Sequence, residues 1–146
     1  MKQADRELLV DLRRALLQLH KTLLEWERTA YERIHGRTSP SGLLEIIMSD
    51  PQFAWLRPVS ELIVRIDESL EIAALDGPEV DVDAIVAKVR TLVAPDQSGT
   101  PYAQRYHAAL QEHPDAVLAH GGVTTLLKGA RRQEAGGRRQ KEEERR

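Results

Sequence analysis

Among five histidines and 23 acids, four side chains combine the type and the helical position to hold a metal ion or a small polar ligand: His20, Glu27, Asp67 and His107. Imidazole and carboxylate donors on facing helices are what helical bundles use to bind iron, manganese or zinc in their interiors. The spacing limits that chemistry. His20 and Glu27 are seven residues apart, which on a helix is about 10.5 Å, so they cannot both bind one ion directly. No His-x-x-x-His pair occurs, the spacing that sets two imidazoles on adjacent turns. The second reading of the same residues is a structural polar layer, in which Arg13 or His20 pairs with Asp67 or Glu27 and fixes helix register.

Other chemistry is excluded or weakly supported. With no cysteine, the chain has no disulfide, thiolate zinc site, iron–sulfur cluster or cysteine nucleophile. Neither Gly-x-Ser-x-Gly nor His-Glu-x-x-His is present. The acids Asp76, Glu79, Asp81 and Asp83 have neither the central glycine nor the terminal glutamate of a calcium loop in place after Asp81, and suit helix capping instead. Gly121 and Gly122 precede two threonines but no Gly-Lys-Ser/Thr, so they do not make a phosphate loop. Tyr102, Tyr106 and Arg105 could stack a flat ligand; packing against a neighbouring helix is the simpler use of such tyrosines. No catalytic residue is assigned, and a non-enzymatic protein is the expectation.

The elements that position these side chains follow from periodicity. Between Ala4 and His35 there is no proline or glycine, and Leu9, Leu12, Leu16, Leu19, Leu23, Trp26 and Ala30 alternate spacings of three and four. That predicts one long helix with an a/d seam, about 50 Å from end to end, capped by Gly36. Placing Leu9 at position a puts Val10, Leu17, Leu24 and Tyr31 at b, a second apolar stripe that calls for a second neighbour. The e column, Arg13, His20, Glu27 and Ile34, falls inside the apolar arc, so its charged members need partners.

Beyond Gly36, a short helix is expected around Leu43 to Ser49. A wedge carrying Phe53, Trp55 and Leu56 follows, then a second long helix through Leu56, Val59, Ile63, Ile66, Leu70 and Ala73. Asp81 or Asp83 caps a helix through Val93, Thr100 and Pro101 open another that ends at Pro114, and a last helix runs from near Asp115 to about Arg132. The expected fold is an all-α bundle of about five to six helices in which two long helices lie antiparallel.

Charge divides the chain. Arg131 to Arg146 holds seven bases and four acids, so of the net charge of −2 this tail carries +3 and residues 1–130 carry −5. The expected organisation is a single helical domain over 1–130 and a charged, disordered or frayed tail over 131–146. An acidic body disfavours nucleic acid, except through the arginine-rich tail. Apolar runs of at most five residues exclude a membrane span, and Met1 to Val10 lacks a signal-peptide core, which points to a cytoplasmic location. The functional expectation is a protein–protein interaction module, in its simplest form a homodimer through Val10, Leu17, Leu24 and Tyr31. The alternative is a metal- or ligand-binding bundle with an interior His/carboxylate site.

Overall fold

In a computed structural model the backbone is described for residues 1–145, with side chains described through Arg131 and at 136 and 143–145. The order is α1 (Gln3–His35), α2 (Pro40–Ser49), a 3₁₀ helix (Pro51–Leu56), α3 (Arg57–Ala74), α4 (Val82–Leu92), α5 (Pro101–Glu112) and α6 (Pro114–Glu144). There is no strand among the described residues, and the fold is an all-α bundle.

Helix boundaries sit where the sequence supplies caps. Gly36 ends α1 at φ 83°, a conformation that a Cβ disfavours, and its N–H returns to the Glu32 carbonyl. Ser39 caps α2 by accepting from the Gly42 N–H, and Asp50 caps the 3₁₀ helix by accepting from Gln52. Asp81 and Thr100 do the same for α4 and α5 through the N–H groups of Ala84 and Ala103. The β-branched run Ile85, Val86 and Val89 is helical because its i, i+1, i+4 spacing buries one helical face.

The a/d seam of α1 is fully buried from Leu9 to Leu23, where Leu9, Leu12, Leu16, Leu19 and Leu23 have no exposed surface, and half-buried at Trp26 and Ala30. Two cross-links fix the direction of α3 against it. Arg13 pairs with Asp67, and Glu27 is bonded by Trp55 just before α3 begins, so a late residue of α1 meets an early one of the next element and the two helices run antiparallel. On its other flank α1 packs against α6, where Ala4 and Leu8 lie near Leu126 and Ala130 while Ala15 lies near Ala119 and Gly122. The first helix thus has two long neighbours, and α4 and α5 close the remaining side of the core through Ile85, Val89 and Tyr106.

Helix α6 runs without interruption through Gly121 and Gly122, and a Cβ at either position would meet nothing within 4 Å. These glycines therefore neither break the helix nor admit a close neighbour. The backbone of α6 continues to Glu144, beyond the end near Arg132 expected from apolar spacing. An existing helix propagates easily through Arg, Gln, Glu, Ala and Lys, which need no buried face. The reading of 131–146 as a separate tail rests on side chains that fall mostly outside the described residues.

Candidate functional site

The e column of α1 does not turn inward along its whole length. Glu27 is buried, with 1% of its surface exposed, whereas Arg13 and His20 are half-buried and Ile34 is 78% exposed. Ile34 corrects the expectation of a continuous interior column. It lies two turns beyond Glu27, which is already level with the 3₁₀ helix that precedes α3, so the last turn of α1 projects past the end of that neighbour.

Glu27 is the most enclosed of the four candidate ligands. Its Oε1 accepts from Trp55 Nε1 at 3.0 Å and from Arg105 Nε at 3.4 Å, and its Oε2 accepts from an Arg105 terminal nitrogen at 2.5 Å. This fork-on-carboxylate geometry is the strongest way to hold a buried carboxylate. Arg105 in turn lies over the Trp26 ring, its guanidinium carbon 4.2 Å from the centroid, and Trp26 Nε1 donates to Glu112 at 2.9 Å. Trp26 meets Trp55 edge to face, and Trp55 packs on Tyr102. The cluster joins α1, the 3₁₀ helix and α5 in one register.

Arg105 was not among the partners expected for Glu27, although a signal for it exists. It is the only permanently charged cation in the α5 sequence PYAQRYHAALQE. What one chain of spacings cannot show is that α5 crosses α1 at Glu27.

The four candidate ligands His20, Glu27, Asp67 and His107 are not drawn together. Asp67 is taken by Arg13, two helical turns before His20 reaches its own level, and Glu27 is taken by Arg105. His20 and His107 are both half-buried, and burial alone holds the His20 pKa below the ordinary histidine value of 6.5. Among the described residues, no three His, Asp or Glu side chains stand close enough to share an ion. Glu32 and His35 form an i, i+3 carboxylate–imidazole pair that the sequence reading passes over. Glu32 accepts from Arg28 at 2.6 Å and from Thr38 at 3.1 Å, while His35 stacks on Tyr31, so these two do not converge on a ligand either. The Arg28 contact is the main reason the Glu32 pKa falls below the usual carboxylate range.

A second polar contact crosses α5 and α6. The Tyr106 hydroxyl lies 2.6 Å from His120 Nδ1, with Tyr106 completely buried. Burial raises the phenol pKa far above its usual value and lowers that of His120, so both groups are neutral, with tyrosine donating to the unprotonated nitrogen. Tyr102 donates to the Leu92 carbonyl at 2.8 Å and lies parallel to Tyr106. Both tyrosines are spent on packing between helices. His113, at the joint between α5 and α6, keeps a buried Nε2 with no hydrogen-bond partner among the described residues.

The b stripe of α1 divides at its middle. Leu24 and Tyr31 pack against the core, Tyr31 with its ring centroid 5.8 Å from that of Phe53. Val10 and Leu17 remain 37% and 41% exposed. Since Arg13 pairs with Asp67 across the antiparallel seam, Leu17, one turn further along α1, comes level with Val64, one turn earlier on α3, and Val64 is 54% exposed. Val10, Leu17 and Val64 thus surround the half-exposed Arg13–Asp67 pair as an open apolar strip.

No protein-family model matches the chain, and neither the curated proteins nor the solved structures contain a match to it. The geometry alone carries the functional reading. Among the described residues no helix is long and apolar enough to cross a membrane.

Proposed function

We propose that this chain is a non-enzymatic protein–protein interaction module that associates with a second copy of itself through the outer face of α1. The observation that supports the reading is the open half of the b stripe, where Val10 and Leu17 stay exposed beside Val64 after α1 has already been given two long neighbours. Large apolar side chains grouped on one face of a helix mark a contact surface more often than scattered ones do. The interior supports the same reading from the other side, because its buried carboxylate, Glu27, is engaged by Arg105 and its tyrosines by neighbouring helices.

Light scattering tests this directly. The mass expected at tens of micromolar is twice the 16.5 kDa of one chain, and Val10→Lys with Leu17→Lys returns it to one chain without loss of helicity. A wild-type mass of one chain at every concentration refutes the reading.

A further inference from the structure

We infer that the two copies pair through α1 in antiparallel fashion, about a twofold axis that passes close to Arg14. This rests on the self-association proposed above and adds its geometry.

The outer face of α1 has a seam of its own. Gln3, Glu7, Val10, Arg14, Leu17 and Lys21 are all exposed and follow spacings of four and three, the alternation that keeps residues on one line of a helix. At 100° per residue these six span less than a quarter of the helix circumference, centred on the side turned away from Leu9, Leu16 and Leu23. The order of residue types along that line is what selects the orientation. On that line the acid Glu7 lies in the first half and the bases Arg14 and Lys21 in the second.

In a parallel pair, each side chain meets its own copy. Glu7 would face Glu7 and Lys21 would face Lys21, an unfavourable stack of like charges. In an antiparallel pair with the axis at Arg14, Glu7 of one copy meets Lys21 of the other, and Val10 meets Leu17 within one residue of the same level. Each contact occurs twice by symmetry. Arg14 then faces Arg14 of the second copy, a single like-charge contact where the parallel pair has three, and Asp11 stands one turn before each of these arginines. The Arg13–Asp67 pair and Val64 border this seam on the α3 side and extend the apolar strip next to Leu17.

The absence of cysteine makes the test clean, because any introduced thiol is the only one in the chain. Under mild oxidation, Arg14→Cys is expected to form a covalent dimer. Glu7→Cys and Lys21→Cys each stay monomeric on a denaturing gel, and the double variant Glu7→Cys/Lys21→Cys cross-links. Efficient cross-linking of all three single variants would mean a parallel pair and overturn the inference. A wild-type dimer by light scattering with no cross-link in any variant would also overturn it while leaving self-association intact, and a wild-type monomer would overturn both. Charge reversal gives an independent readout: Glu7→Lys or Lys21→Glu alone should weaken association about tenfold, and the two together should restore it to within about threefold. Single reversals without effect, or a double variant no better than either single one, would contradict the register.

Discussion

Arg105→Ala should cost the fold more than Glu27→Gln. Losing the guanidinium leaves a buried carboxylate with only the Trp55 N–H for company, a loss of about 2 kcal/mol for an ion pair in which the carboxylate is enclosed and the arginine partly solvated, whereas an amide at position 27 keeps the Trp55 bond and relieves the charge, at about 1 kcal/mol. Chemical denaturation of both variants checks the order, and equal losses would mean that Glu27 is less enclosed than its 1% exposure implies. His120 gives a pH signature. Its pKa is lowered in the fold, so the unfolded chain takes up the proton first, and the stability from the neutral imidazole is present above pH 6.5 and falls away as pH drops below it. His120→Gln keeps an acceptor for the Tyr106 hydroxyl and should flatten the melting temperature between pH 7 and pH 5, once the contribution of His20, whose pKa burial also lowers, is allowed for. A profile that stays as steep as wild type would place the titration elsewhere. At this scale the need for a partner was legible at Glu27, and Arg13–Asp67 is one of the pairings the polar-layer reading contains, although it stands half-exposed and His20 makes no side-chain hydrogen bond among the described residues. The sequence did not identify Arg105, because a hydrogen bond between residues 27 and 105 depends on where two helices cross, and spacing within one helix carries no such information.

Single helices were more legible than single contacts. The a/d pattern of α1, the cap pairs at Asp50–Pro51 and Thr100–Pro101, and the break at Asp76–Gly77–Pro78 each act over a few neighbouring residues, so they survive without knowledge of the tertiary structure. Where the pattern misled was at Ile34, whose heptad position is interior but whose neighbour has already ended. The glycines offer a measurement at this scale. Gly121→Ala and Gly122→Ala place a methyl group in open space on a continuous helix, and each should raise stability by about 1 kcal/mol. Gly36→Ala imposes a Cβ at φ 83° and should lower stability by about the same amount. Thermal melts of the three variants separate the two cases. Destabilisation by Gly122→Ala would mean that α6 lies closer to α1 than the open space at this position indicates.

On the scale of the whole molecule, an interface built on one helix and three part-exposed aliphatic residues per copy is small, so the dissociation constant is expected on the order of micromolar. The Glu7–Lys21 contacts stand in solvent, and raising the salt toward 1 M should weaken the dimer, since the screening length then falls to about 3 Å. Sedimentation at low and high salt checks this, and a salt-independent equilibrium would point to apolar contact alone. The all-helical architecture was legible because helices declare themselves through local period. The choice of surface was not, because the sequence shows the whole b stripe as one feature and only the packing of Leu24 and Tyr31 on the core separates its closed half from its open half. Hydroxyl-radical footprinting across a concentration series tests the central claim most directly. As concentration rises through the micromolar range, labelling of Val10 and Leu17 should fall several-fold while Leu44, exposed on α2 beyond the opposite end of α1, stays constant. Unchanged labelling of Val10 and Leu17 at concentrations where the mass has doubled would contradict the account.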